Sequence, residues 1–338
     1  MLRRARRRHG DVKLMSALAI TLASSVMPAV AQDTERAAFV AYVDSATGLM
    51  EHYSVRRAEV DWPSLRSAAR SIVDSASRPD TAAAYAAVRQ ALAKLGDHHS
   101  FLATPAEVRR LTAQDPTPSS PNAPPEIRIL PGRVGYARIP PYDGLDSALI
   151  HGYAVAFQAR LRSLAKRVRC GWVVDLRGNT GGNMWPMLAG IGPVLGDGLA
   201  GRFVGADTAE AWGYTHGYAW EGSDTIVHVP NPLDLSATSA HVAVLTDSMT
   251  ASSGEAITIS FRGRPGARSF GAPTAGLSTG NQEYALSDGS MLFLTTSIEA
   301  DRIGHLYGSG VVPDTIVAPE DALSAAAAWL QSSGCRRR

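Results

Sequence analysis

Apolar positions recur at roughly helical spacing from Thr34 to about Gly96. Ala37, Phe39, Val40, Tyr42, Val43 and Leu49 trace a first stripe. Asp61-Trp62-Pro63 predicts the start of a second helix, with Asp61 or Trp62 near the cap and the proline in the first turn. Pro79-Asp80 predicts the start of a third, whose alanine-rich body runs to Leu95. The expectation is a small helical N-terminal domain over 32–103. Pro116, Pro118, Pro121, Pro124 and Pro125 then break the pattern, and 104–132 reads as a linker or long loop.

From 133 onward the period changes. Val134 to Ile139 reads as a strand, about Leu145 to Lys166 as a helix, and Gly171 to Leu176 as a buried strand ending in a glycine-rich turn. Met184 to Leu195 reads as a helix and Val242 to Leu245 as a short apolar strand. A helix from about Ser253 to Phe261 and a strand from Met291 to Thr296 follow. Strands alternating with helices predict an α/β core with a mixed or parallel sheet over 133–318. A last helix and a basic tail fill 319–338. Trp212, Tyr214, Tyr218 and Trp220 fall in an aromatic and glycine-rich stretch that suggests a hairpin or flap.

Composition supports a folded chain with a sizeable core, since 45% of the 338 residues are hydrophobic and 19% charged. The formal net charge is +2, but arginines at the two ends supply much of the positive charge. No broad basic surface remains, so no nucleic-acid partner is expected. Arg3, Arg4, Arg6, Arg7 and Arg8 precede an apolar stretch from Met15 to about Met27, and Ala29-Val30-Ala31 offers a cleavage site. Residues 1–31 therefore read as a signal peptide of an exported, periplasmic or secreted protein, cleaved near Ala31. No stable membrane span is expected in the mature chain. Cys170 reads as a small buried residue and Cys335 lies in the tail, and no disulfide between them is expected. Neither cysteine has a neighbour at ligand spacing and no H-E-x-x-H occurs, so no metal is expected.

Three segments carry candidate chemistry. In Val242 to Phe261 an apolar strand enters Thr250-Ala251-Ser252-Ser253-Gly254-Glu255 and then a helix. Such a turn can hold a serine hydroxyl where free backbone N–H groups point outward, although Ser252 and Ser253 fit simple helix caps equally well. Arg177-Gly178-Asn179-Thr180-Gly181-Gly182 ends a strand in glycines that can expose N–H groups to a ligand, and matches neither dinucleotide nor P-loop spacing. Leu95-Gly96-Asp97-His98-His99-Ser100 places two histidines after a helix, where one can act as a base or simply sit in a solvated loop.

Together these segments resemble the S41 peptidases, the family of the C-terminal processing and tail-specific proteases. The likeness runs from about Leu95 to Val317 and includes Gly271-Ala272-Pro273-Thr274-Ala275-Gly276 and Gly310-Val311-Val312-Pro313-Asp314. It implies a crotonase-like α/β spiral core with Ser252 as nucleophile and Ser253 as the neighbouring alternative. It also implies oxyanion donors near Gly181, Gly182 and Ser253, no cofactor, and a peptide or protein substrate. The processing branch takes a lysine base just after its G-x-P-T-x-G stretch. Leu277 stands there in this chain, so a Ser–Lys pair is excluded at that position. The tricorn-like branch takes an earlier histidine, which implies His99, with His98 next. Its supporting glutamate position is met by Tyr307, leaving Asp97, Glu255, Glu299 and Asp301 as candidate supports. The proline-rich gap is too short for a PDZ domain, and none is expected. A non-catalytic protein of the same fold, binding a peptide or apolar ligand, is the alternative reading.

Overall fold

The computed structural model describes residues 29–112, 123–235 and 241–335. Most of the predicted signal peptide, 1–28, and the tail arginines lie outside the described residues. Three helices, α1 (Ala29–Tyr53), α2 (Trp62–Ser75) and α3 (Thr81–Leu95), form the N-terminal layer. Asp61 caps α2 by accepting from Ser64 N–H, and Asp80 caps α3 by accepting from Ala83 N–H. Leu65, Ala69 and Val73 of α2 and Ala84, Ala87, Val88, Ala91 and Leu92 of α3 are buried, the period of a helix face turned to a core. Gly96 ends α3 in the left-handed region at φ 67°, and the chain turns there into the histidine segment.

Next come β1 (Phe101–Ala103), α4 (Pro105–Thr112), β2 (Glu126–Leu130), β3 (Val134–Arg138), α5 (Ser147–Ala165), β4 (Trp172–Asp175) and α6 (Met184–Leu195). A meander follows, β5 (Gly198–Gly205), β6 (Ala209–Thr215), β7 (Tyr218–Glu221) and β8 (Asp224–His228). The chain ends with β9 (Val242–Thr246), α7 (Ser253–Ser260), β10 (Ala267–Gly271), β11 (Thr279–Ala285), β12 (Met291–Asp301), β13 (Thr315–Ile316) and α8 (Ala322–Trp329).

Within 104–132 the described residues form α4, β2 and most of the turn after it, while 113–122, with Pro116, Pro118 and Pro121, lie outside the described residues. Thr104 and Glu107 cap α4 reciprocally around Pro105, and β2 pairs antiparallel with β3.

Two sheets stack around the core. One runs β13-β10-β9-β4-β3-β2, with every pair parallel except β2–β3. The other is antiparallel and runs β1-β12-β5-β6-β7-β8, with β11 also on β12. The main core fills the space between α5, α6, α7 and the two sheets and includes Phe157, Trp172, Leu188, Ile191 and Trp212. The helical layer packs Met50, Val88 and Leu92 onto Leu292 and Leu294 of β12. The mixed α/β class and the helical N-terminal region match expectation.

The cysteines do not. Cys170 and Cys335 form a disulfide, because Ala322, Ala326 and Leu330 pack onto the parallel sheet and carry the end of the chain back to the start of β4. Cys170 itself is buried, as expected.

Candidate active site

Strands β4 and β9 are adjacent and parallel, so the segments leaving their carboxyl ends meet in one crevice. Ser252 leaves β9 just ahead of α7, with φ 50° and ψ −121°. A non-glycine residue held in that region costs about 1–3 kcal/mol and persists only where its surroundings over-determine it. Here the determinant is Glu255. Its carboxylate accepts from Ser252 N–H (2.9 Å), Gly276 N–H (2.9 Å), Leu277 N–H (2.7 Å) and the Thr274 hydroxyl. Burial pushes the Glu255 pKa up against these four donors, which pull it down.

His99 enters from the helical layer. Its Nε2 lies 3.0 Å from Ser252 Oγ, although 153 residues separate them. Its Nδ1 lies 2.7 Å from Thr279 Oγ1. Asp97 braces the turn below, accepting from His99 N–H, Ser100 N–H and the Ser100 hydroxyl, while Asn281 donates to the His99 carbonyl. Burial lowers the His99 pKa, and the Asp97 charge opposes that shift. His98 is exposed, at φ 58°, and stands off this contact.

The glycine turn after β4 faces the serine. A Cβ on Gly181 would lie 2.8 Å from the Ser252 Cβ, so only glycine allows this approach. The Gly181 N–H is taken by Asn179 Oδ1 at 2.9 Å and is not available to a substrate oxygen. The N–H groups of Gly182 and Ser253 have no hydrogen-bond partner among the described residues, and the Ser253 hydroxyl donates to the Gly182 carbonyl. These two segments are therefore tied together with two donors left open. Around them lies a cleft of about 920 Å³ lined by Met184, Trp185, Phe203, Leu277 and Phe293 among others. Met187 sits in the core.

A model of peptidase family S41 matches residues 133–317, more than half of the chain. The chain belongs to this family. The match begins after His99, so the histidine comes from outside the family segment. Over 196 residues the chain is 33% identical to the nisin-resistance protein of Lactococcus lactis subsp. lactis, covering 57% of this chain and 59% of that protein. It thus spans less than two thirds of that relative's length. A lipoprotein from Streptococcus agalactiae superposes with a TM-score of 0.70 at 25% identity over 87% of this chain and 96% of the other. The photosystem II D1 C-terminal processing protease superposes at 0.57 over 87% and 98%, and at 17% identity that likeness shows the fold alone.

The remaining S41-based expectations divide. Leu277 donates its N–H to Glu255 and its carbonyl accepts from Thr279 N–H, and its side chain carries no base. Asp301 accepts from Ile303 N–H, His305 N–H and the Tyr307 hydroxyl, so it and Tyr307 shape the turn after β12 rather than reach His99. Glu299 is buried on the cleft wall, with Oε2 unpartnered among the described residues. Burial, and then the Glu255 charge, hold its pKa well above the usual carboxyl range. Thr279 and Asn281, which contact the histidine, carry no motif that sequence reading singled out. Among the described residues no group of three or more acidic, cysteine or histidine ligands converges to hold a metal.

Proposed function

We propose that this S41 protein is an exported serine peptidase with Ser252 as nucleophile and His99 as general base. The 3.0 Å contact between His99 Nε2 and Ser252 Oγ, beside two open N–H donors, carries the reading. Ser252 Oγ attacks a peptide carbonyl carbon and its proton passes to His99 Nε2. That requires the neutral ring protonated at Nδ1, with the Nδ1–H donating to Thr279 Oγ1. The developing oxyanion accepts from Gly182 N–H and Ser253 N–H, each such donor being worth roughly 3–4 kcal/mol in the transition state. His99 then protonates the leaving amine, and water, deprotonated by the same ring, resolves the acyl-enzyme. Ser253 lies at the first turn of α7, where the helix dipole also favours negative charge.

The family match and the likeness to the nisin-resistance protein support a peptide or protein substrate. Export is supported by the arginine-led apolar N-terminus, by the Cys170–Cys335 disulfide and by the likeness to a lipoprotein. The parallel β3-β4-β9-β10 run, stacked on a second sheet, suits a crotonase-like core.

The test is digestion of a diverse synthetic peptide mixture, read as new termini by mass spectrometry. The reading expects discrete cleavage by the wild type and none by Ser252→Ala. Cleavage undiminished in that variant would sink it.

A further inference from the structure

The cleft around Ser252 is acidic. Among its described lining residues seven carboxylates accompany one guanidinium, that of Arg57. Arg57 is paired with Asp207, and Glu51 with Arg66. Glu210, Glu221, Glu283 and Glu299 have no cationic partner among the described residues. Burial, followed by the neighbouring Glu210 charge, pushes the Glu221 pKa up, and burial does the same to Glu283. Four carboxyl groups of the wall thus have no protein cation to balance them among the described residues.

Glu299 adds an independent observation. It is 2% exposed and its Oε2 is buried without a hydrogen-bond partner. A buried acceptor left unmade is costly and rare enough to need a reason. The register of β12 on β5 pairs Ser297 with Gly205 and Glu299 with Phe203, and these four residues line the cleft, whereas the intervening pair Ile298 and Val204 does not. Strand side chains alternate between faces, so Glu299 is directed to the cleft side. The Glu299 N–H donates to the carbonyl of Ser278, the residue between Leu277 and Thr279, which places it beside the serine and histidine.

We propose that the cleft selects a cationic peptide segment and that Glu299 receives a lysine or arginine side chain of that segment in the subsite beside Ser252. This deepens the peptidase reading and rests on it for the identity of the site. An apolar side chain in this subsite would leave Glu299 Oε2 unpaired, whereas an ammonium or guanidinium brings several donors and the counter-charge. Burial raises the Glu299 pKa, and an entering cation opposes that shift by favouring the carboxylate. The other carboxylates are spread along the wall, which suits charges distributed along a chain.

The test uses the Ser252→Ala protein and fluorescein-labelled peptides of one length, read by anisotropy. In one set lysine, glutamine or glutamate occupies alternate positions. In a second, a single lysine is moved along an otherwise neutral chain. The lysine-rich peptide is expected to bind at least about tenfold more tightly than its glutamine counterpart, with the glutamate peptide weakest. That margin should shrink between roughly 0.1 and 1 M salt, as the Debye length falls from about 10 to 3 Å. In the scan one lysine position should gain affinity, and Glu299→Gln should remove that gain. Glu210→Gln with Glu221→Gln should instead weaken all lysine-rich binding. Equal binding of lysine and glutamine peptides, a preference for glutamate, or no binding of any peptide would overturn the proposal. If Glu299→Gln does not fold, the scan on Ser252→Ala alone decides. Failure of the peptidase reading shows separately, as wild-type protein that binds lysine peptides selectively and cleaves none.

Discussion

Thr279 Oγ1 lies 2.7 Å from Nδ1 of His99, on the ring edge away from Ser252. A neutral hydroxyl thus occupies the place a carboxylate holds in a serine–histidine–aspartate triad. It can fix the ring and its tautomer, and it offers less stabilisation to the imidazolium than a charge would. Thr279→Val keeps the shape and removes the acceptor. It is expected to lower kcat about 10- to 100-fold with KM nearly unchanged, corresponding to one hydrogen bond to a group that becomes charged. Thr279→Ser should retain most activity. Steady-state kinetics on any cleaved peptide checks both.

Glu255 joins the strained Ser252 to the segment from Thr274 to Leu277 through four donors. Glu255→Gln turns an NH₂ group toward N–H groups that need an acceptor. A loss of about 2–3 kcal/mol in unfolding free energy is expected, together with slower reaction of Ser252. Denaturant midpoints at constant m-value check the first part.

The lowered pKa of His99 makes a directional claim about acid pH. As the proposed general base, His99 would work only as neutral imidazole, so activity is expected to fall as pH drops through its pKa. Burial places that pKa below the 6.5 of an ordinary histidine, so the acid limb of kcat/KM should have its midpoint below 6.5. Asp97 opposes the shift, so Asp97→Asn should move the limb further toward acid. A pH–rate profile of both proteins decides, and a midpoint above 6.5 in the wild type would contradict the burial argument.

The Cys170–Cys335 disulfide closes a stretch of 165 residues and ties the C-terminal helix to the parallel sheet. Loop-closure entropy for a stretch of that length predicts a contribution of up to about 5 kcal/mol, with native strain subtracting from it. Cys170→Ser or reduction should lower the thermal midpoint, and a melt unchanged by reductant would show that the bond carries no stability.

Much of the site was legible because its signals are local. The apolar run Val242 to Leu245 leading into Thr250-Ala251-Ser252, and the strand ending in Gly181-Gly182, each announce a strand followed by a turn. The Met184–Leu195 helix follows its pattern to the residue. Helix α4, inside the stretch that reads as a linker or loop, is signalled locally by Thr104-Pro105-Ala106-Glu107, a capping box with a first-turn proline. Thr279 was not legible. It reaches His99 only through the pairing of β11 on β12, whose register shifts at Gly280/Asn281. Glu299 reads from the sequence as one candidate support for the histidine, and its place on the cleft wall is set by the strand face of β12, which the sequence alone does not give. The disulfide depended on where the last helix packs.

The most direct test of the central claim is labelling of the mature protein by a fluorophosphonate probe, with the modified residue located by peptide mass spectrometry. The account predicts a single adduct on Ser252, lost in Ser252→Ala and slowed by on the order of 10³-fold or more in His99→Ala, with both variants folded. An unlabelled, folded wild type, or an adduct that forms equally fast without His99, would contradict it.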